Sequence, residues 1–301
     1  MELRRIRATV IGGSNTLMGA AYIADVPKCA RALGIDLEIV ANLAIGNTSS
    51  LTGLMRLKSG AQIQNSDLLI IEYALNDVSL YGDDRAAIEC WVKSYEGMIR
   101  HALTANPGIR ILSFVLYNQQ GSHRSTLPLL PAAIGYLSDW YGLTKVDAHR
   151  EFAQRFGASY PEVAGLYADP AHYSRPVFTR LLAELLAAGI RKAADRPPSA
   201  LALPPPVDPA NYQHARVIAC STAWQGLSTT TFRNSVYSVE AVELASGTSS
   251  YSSRAGGCWR RSLPARPMCR GSMWSWTAGP MNARRSGRAS VTASSASCWR
   301  R

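Results

Sequence analysis

From residue 5 to about 195, short apolar runs alternate with stretches of helical period. The runs "RIRATVI", "DLEIVAN", "DLLIIEYA", "IRILSFVLY" and "LTKVDA" are rich in Val, Ile and Leu, which predicts strands covered on both faces. Between them, helices are predicted near 26–33, where Asp25 can cap and Gly34 can terminate, near 50–58, and from residues 83, 125 and 149 onward. A last helix in "RPVFTRLLAELLAAGIRKAA" sets Leu181, Leu182, Leu185 and Leu186 on one apolar stripe that packs back on the sheet. Strand and helix in turn predict a parallel sheet built from right-handed crossovers, hence an α/β domain.

The prolines of "DRPPSALALPPPVDP" cannot continue that helix and favour an extended linker. The first domain is therefore expected to cover 1–198, with a Pro-rich linker over 199–214. Beyond it, 215–250 has the pattern of a fragment of a β accessory module, with a strand or two in "RNSVYSVEAVELASG".

The chain of 301 residues is 47% hydrophobic, enough for a sizeable core, and carries a formal net charge of +11. That charge suggests a nucleic-acid or membrane surface until it is located. Residues 251–301 hold ten arginines, no lysine and no acid, which leaves the first 250 residues with 22 basic and 21 acidic side chains. No basic groove through the body is indicated, so neither nucleic acid nor membrane is an expected partner. The segment 251–301 also mixes Ser, Trp and Cys without a sustained period of 2 or 3.6, and reads as a basic, poorly ordered tail of out-of-frame sequence, ahead of an arm for nucleic acid.

The amino terminus, "MELRRIRATVIGG", has no apolar stretch of signal-peptide length, and nowhere do ~18 apolar residues follow one another. Cys29, Cys90 and Cys220 are scattered through the body, Cys258, Cys269 and Cys298 lie in the tail, and no C-x-x-C pair occurs. Free buried thiols in a reducing, cytoplasmic compartment are the expectation, without structural zinc.

In an open parallel sheet, ligands meet the protein at the carboxyl ends of the strands. Four polar stretches fall there: "GGSN" after the first strand, "LAIGNTSS" after the second, "EYALND" at the third, and "YADPAHYS" before the last helix. Each has a structural alternative. Ser14 can be a turn or cap residue, Gly46 can supply a backbone conformation closed to other residues, Asn76 and Asp77 can form an Asx-turn, and Asp169 with His172 can be a loop ion pair. Together they also supply the parts that acyl transfer needs: a hydroxyl, a base, a carboxylate to orient it, and donors for a developing oxyanion. Asp147 and His149 in "VDAH" are a competing acid–base pair, but they stand two apart where a helix begins, which suits a cap better. His101, His123 and His214 fall in a helix, a polar loop and the linker region, and no P-loop, H-E-x-x-H or strand-linked G-x-G-x-x-G occurs.

In this order, and over roughly residues 5–195, the four stretches resemble the conserved blocks of the SGNH hydrolases, the GDSL-type esterases and lipases. "GGSN" stands at the G-D-S block, "IG" at the oxyanion glycine, "ALND" at G-x-N-D, and "DPAH" at D-x-x-H. The resemblance implies a three-layer, flavodoxin-like domain with a five-stranded parallel sheet and no cofactor. It implies Ser14 as nucleophile, with Asp169 and His172 completing a triad. Ser14, Gly46 and Asn76 would then form the oxyanion hole. Gly13 departs from the family's usual Asp before the serine, and Ala74 from the first glycine of the third block.

The expected activity is hydrolysis of small acyl esters, carbohydrate O-acetyl groups among them. An acyltransferase on the same fold and a carbohydrate-binding or interaction module without catalysis are the alternatives. Substrate choice rests on loops such as 117–127, "YNQQGSHRSTL", whose shape the pattern does not give, and oligomeric state is likewise not legible.

Overall fold

The protein is described by a computed structural model that covers residues 3–19, 21–117, 119, 129–197, 203–218, 228–233, 238–242, 249–253 and 258–262. The chain divides into two compact units, residues 1–214 and 215–301.

The first unit is built on five parallel strands: β1 (Arg4–Gly12), β2 (Ile35–Asn42), β3 (Leu68–Glu72), β4 (Arg110–Val115) and β5 (Thr144–Asp147), in the order β2-β1-β3-β4-β5. This is the doubly wound order in which the connections reverse direction between β1 and β3, opening a crevice at their carboxyl ends. β3 is buried along its whole length, as its continuous apolar sequence requires. β2 alternates buried with exposed positions instead, because it is an edge strand with a neighbour on one side only.

Helices cover both faces. On one side α2 (Tyr22–Ala32) and α8 (Val177–Asp195) pack together, and on the other α3 (Ser50–Lys58) packs against α5 (Arg85–Ala105). Leu182, Ala183, Leu186, Ala187 and Ile190 form the fully buried stripe of α8, with Leu181 and Leu185 at its edge. A Cβ on Gly189 would lie 2.2 Å from Val146 Cγ2, so the glycine is what lets α8 lie directly on β5. Shorter helices α1 (Ser14–Leu17), α4 (Ala74–Tyr81), α6 (Leu129–Trp140) and α7 (Ala148–Phe156) join the layers. A small antiparallel pair, β6 (Tyr167–Asp169) and β7 (His172–Tyr173), precedes α8.

Several boundaries differ from expectation for physical reasons. α2 begins at Tyr22 rather than beyond Asp25, because burying Tyr22, Ile23 and Val26 outweighs the hydrogen bond that Pro27 cannot donate inside the helix. Tyr22 meets Phe114 edge to face, with ring centroids 5.3 Å apart. Asn76 and Asp77 do not close a strand but lie in the first turn of α4.

The compact unit also continues past the boundary expected near 198: residues 203–214 lie across α5 rather than running free as a linker. Glu96 accepts hydrogen bonds from the N–H groups of Val207 (2.6 Å) and Asp208 (2.8 Å), and Arg100 donates to the Pro204 carbonyl at 2.7 Å. The prolines exclude helix, as read from sequence, but the segment finds its partners on a neighbouring helix instead.

In the second unit, β8 (Thr229–Arg233) pairs with β9 (Ser238–Val242), and β10 (Ser249–Ser253) with β11 (Cys258–Ser262), both antiparallel. Residues 263–301, which carry the rest of the basic tail, lie outside the described residues. Cys29 and Cys90 are free thiols, the first buried and the second half-buried, and burial raises both above the ordinary thiol range. Among the described residues no helix is long and apolar enough to cross a membrane.

Candidate active site

β1 ends at Gly12, paired with Glu72 at the end of β3, and the chain turns there into α1. A Cβ on Gly12 would lie 2.7 Å from the Glu72 carbonyl oxygen, so only glycine lets the strand end this close to its neighbour. Ser14 is the first residue of α1, and the cap position, Gly13, makes no side-chain cap. The Ser14 hydroxyl is thus free of a capping role, and it points to His172: Ser14 Oγ lies 2.9 Å from His172 Nε2, across 158 residues of sequence.

His172 and Asp169 flank the turn between β6 and β7 and pair across it. The other ring nitrogen of His172, Nδ1, lies 2.9 Å from Asp169 Oδ1 and 2.8 Å from Oδ2. Asp169 also accepts the backbone N–H groups of Ala171 (2.8 Å) and His172 (3.1 Å). Burial pushes the Asp169 carboxyl up, but these hydrogen bonds and the neighbouring imidazole outweigh it and hold the group below the ordinary carboxylate range. The His172 side chain keeps 26% of its surface accessible and Ser14 is half-buried, so the pair is reachable from solvent.

Gly46 and Asn76 close on the same turn from two sides. A Cβ on Gly46 would stand 3.5 Å from Ser14 Cβ, which puts the glycine directly against the serine. Gly46 is not in the left-handed region; the positive φ in this loop, 55°, belongs to Asn47. Asn76 is 6% exposed, and its amide fills the space beside Gly13, where a Cβ would lie 2.1 Å from Asn76 Oδ1. Among the described residues neither the Ser14 nor the Gly46 N–H donates to a protein acceptor. For Ser14 this follows from its place in the first turn of a helix.

Two residues near the turn carried no sequence signal of their role. Asn15 donates from Nδ2 to the Ala171 carbonyl at 2.8 Å and accepts the Tyr173 N–H at Oδ1, at 3.4 Å. Glu72 is fully buried behind the turn: its Oε2 accepts the Thr16 hydroxyl at 2.8 Å and the Gly13 N–H at 3.4 Å, while Oε1 has no partner. Burial pushes the Glu72 carboxyl up to about 8, its hydrogen bonds from Thr16 and Gly13 offsetting this only in part. Asp77, beside Asn76, faces away from Ser14 chemistry: it accepts the Ser50 N–H (2.9 Å) and the Trp91 Nε1–H (2.9 Å), tying α3, α4 and α5 together. Burial raises it to about 7.

The competing pair is structural. Asp147 caps α7 by accepting the Arg150 N–H at 3.0 Å. His149 stacks on Tyr117 with ring centroids 4.0 Å apart and lies 2.6 Å from the Tyr160 hydroxyl. His101 sits on α5, where burial and then Lys58 lower it to about 4, and His214 is in a short 3-10 turn. Residues 118 and 120–128, including His123, lie outside the described residues, and with them most of the loop on which substrate choice was expected to rest.

No protein-family profile and no curated protein matches this chain in sequence. Solved structures do share its fold. A two-domain esterase (CEX) active on acetylated mannans superposes with a TM-score of 0.55 at 17% identity, covering 77% of this chain and 62% of that one. An acetyl xylan esterase, AlAXEase, gives 0.52 at 16% identity, over 62% of this chain and all of the other, 100%. A lipase/acylhydrolase from Enterococcus faecalis gives 0.50 at 16% identity over 66% of this chain and 100% of that one. At these identities the likeness is one of fold, and this chain spans less than two thirds of the length of the two-domain esterase.

Proposed function

We propose that this chain is a serine ester hydrolase of the SGNH type, removing small acyl groups, acetyl groups of carbohydrates foremost, through an acyl-enzyme on Ser14. The observation that carries the reading is the connected row in which Ser14 Oγ meets His172 Nε2 at 2.9 Å and Asp169 meets the other ring nitrogen at 2.8 Å. A hydroxyl becomes a nucleophile when a base within hydrogen-bond reach takes its proton and a third group fixes that base.

His172 accepts the Ser14 proton as Oγ attacks the ester carbonyl. The oxyanion is received by the N–H groups of Ser14 and Gly46 and by the Asn76 amide, donors available at the same turn. His172, now protonated and held by Asp169, gives its proton to the leaving alcohol. Water then attacks the acyl-enzyme with the same imidazole as base, and the acid is released. The choice of acetylated sugars is supported by the fold shared with an esterase active on acetylated mannans and with an acetyl xylan esterase. It remains separate from the chemistry, since one fold hosts many substrates.

The test is labelling by a fluorophosphonate probe alongside acetate release from p-nitrophenyl acetate and from acetylated mannan and xylan. The wild type is expected to label at Ser14 and to release acetate, and Ser14→Ala to do neither. Labelling of Ser14→Ala at an unchanged rate puts the nucleophile elsewhere. Product analysis with added sugar acceptors separates hydrolysis from acyl transfer, and absence of both leaves a binding module.

A further inference from the structure

We propose that Asn15 is a positioning residue: its side-chain amide grips the peptide groups on both sides of His172 and thereby sets the imidazole against the Ser14 hydroxyl. The proposal rests on the reading of Ser14 and His172 as nucleophile and base.

The imidazole is carried by a weak element. β6 and β7 are three and two residues long, and their pairing has an irregularity between Tyr167 and Asp169. A two-stranded hairpin of this size has little stability of its own and takes its place from what holds it. On one side it is anchored to the end of β4, where the Tyr167 and Tyr173 hydroxyls donate to the Tyr117 carbonyl at 2.9 and 2.6 Å. Those bonds fix the hairpin to a part of the sheet that carries neither Ser14 nor its oxyanion donors.

The anchor to the nucleophile's own turn is Asn15. It is the residue after Ser14, 6% exposed, and its Nδ2 donates to the Ala171 carbonyl at 2.8 Å while its Oδ1 accepts the Tyr173 N–H at 3.4 Å. These two peptide groups flank His172, 156 and 158 residues away in sequence. The task needs one donor and one acceptor at fixed spacing on a short stem, which is the amide of asparagine. Aspartate has the same shape but loses the donor and sets a carboxylate oxygen against the Ala171 carbonyl. Alanine leaves both buried groups without partners.

The consequence falls on alignment. A misplacement of ~1 Å at a reacting group costs on the order of 100-fold in rate. Asn15→Asp and Asn15→Ala are therefore expected to lower kcat and the fluorophosphonate labelling rate by about 100-fold, with KM changed far less. In both variants the nitrogen resonances of the His172 ring, followed by NMR, are expected to lose the signature of the hydrogen bond to Ser14. Asn15→Asp keeps the side-chain volume and carries the test if Asn15→Ala does not fold. An unchanged labelling rate and unchanged imidazole resonances in a folded variant overturn the proposal. If the wild type itself neither labels nor hydrolyses esters, the esterase reading falls. The imidazole resonances then decide the clamp alone: altered in the variants they uphold it, unaltered they overturn it.

Discussion

A side chain on residue 13 and the amide of Asn76 would claim the same space: a Cβ built on Gly13 would stand 2.1 Å from Asn76 Oδ1 and 2.7 Å from Nδ2. The glycine that departs from the family's usual Asp therefore leaves room for the group assigned to the oxyanion. Gly13→Ala is expected to push the Asn76 amide off its position while the fold survives, since the intruding group is one methyl. Loss of one oxyanion donor lowers turnover by ~100- to 1,000-fold. Gly13→Ala should approach that figure, and the double variant with Asn76→Ala should be little worse than either single one. Additive losses in kcat would show that the two positions act separately.

Asp169 accepts three donors at once, and only one of them is the His172 ring. Asp169→Asn retains an acceptor for the turn N–H groups but presents an amide to Nδ1, favouring the tautomer with the proton on Nε2, where it cannot take the Ser14 proton. The fluorophosphonate labelling rate is expected to fall by about 1,000- to 10,000-fold with the melting temperature nearly unchanged. A rate within a few-fold of wild type would remove Asp169 from the relay.

What was legible in the sequence followed from local pattern. The apolar run of β3 and the reach of α8 are written in consecutive residues, and the polar stretches at strand ends fall on one rim because parallel strands all end there. Asn15 and Glu72 were not legible, because what they do depends on groups 156 and 56 residues away and neither sits in a distinctive local motif. Likewise, "ALND" reads as the end of a strand, yet the chain turns into α4 within it because Asp77 reaches the Ser50 N–H and the Trp91 indole once these are assembled. Proline content told that 203–214 is not helical; that Glu96 and Arg100 wait for it on α5 is a tertiary fact.

The buried carboxyl of Glu72 gives stability a slope with pH. Burial raises it from an ordinary value of 4.5 to about 8, and Asp77 from 3.8 to about 7. Between these limits the folded protein keeps protons that the unfolded chain has released. Their contribution is thus fully present below about pH 4 and is lost as pH rises through 7 to 8, at up to roughly 1.4 kcal/mol per pH unit for each group. Glu72→Gln keeps an acceptor for Thr16 and Gly13 and removes the titration. Urea unfolding from pH 5 to 9 should show wild-type stability declining toward the alkaline side and a shallower decline for Glu72→Gln. Parallel curves would mean that Glu72 is ionised in the fold throughout.

The segment 203–214 is held as firmly as an element of the domain. Glu96, fully buried, accepts the Tyr141 hydroxyl and the N–H groups of Val207 and Asp208. One turn on, Arg100 donates to the Pro204 carbonyl and to Gln213 Oε1, both at 2.7 Å, and Lys58 donates to the Gln213 carbonyl at 2.6 Å. Gly97 lies between them, where a Cβ would stand 3.0 Å from the Tyr212 backbone carbon, so the helix is smooth where the segment crosses it. Removing the Glu96 carboxylate leaves three donors without their acceptor. At ~1–3 kcal/mol for each buried group left unpaired, Glu96→Ala is expected to cost about 3 kcal/mol or more. For a domain of this size that lowers the melting temperature by roughly 10 °C. A chain ending after His214 should melt near the full-length value and one ending after Pro197 at least as low as Glu96→Ala. Equal melting temperatures for the two truncations would show that the segment only rests on α5 and adds nothing to its stability.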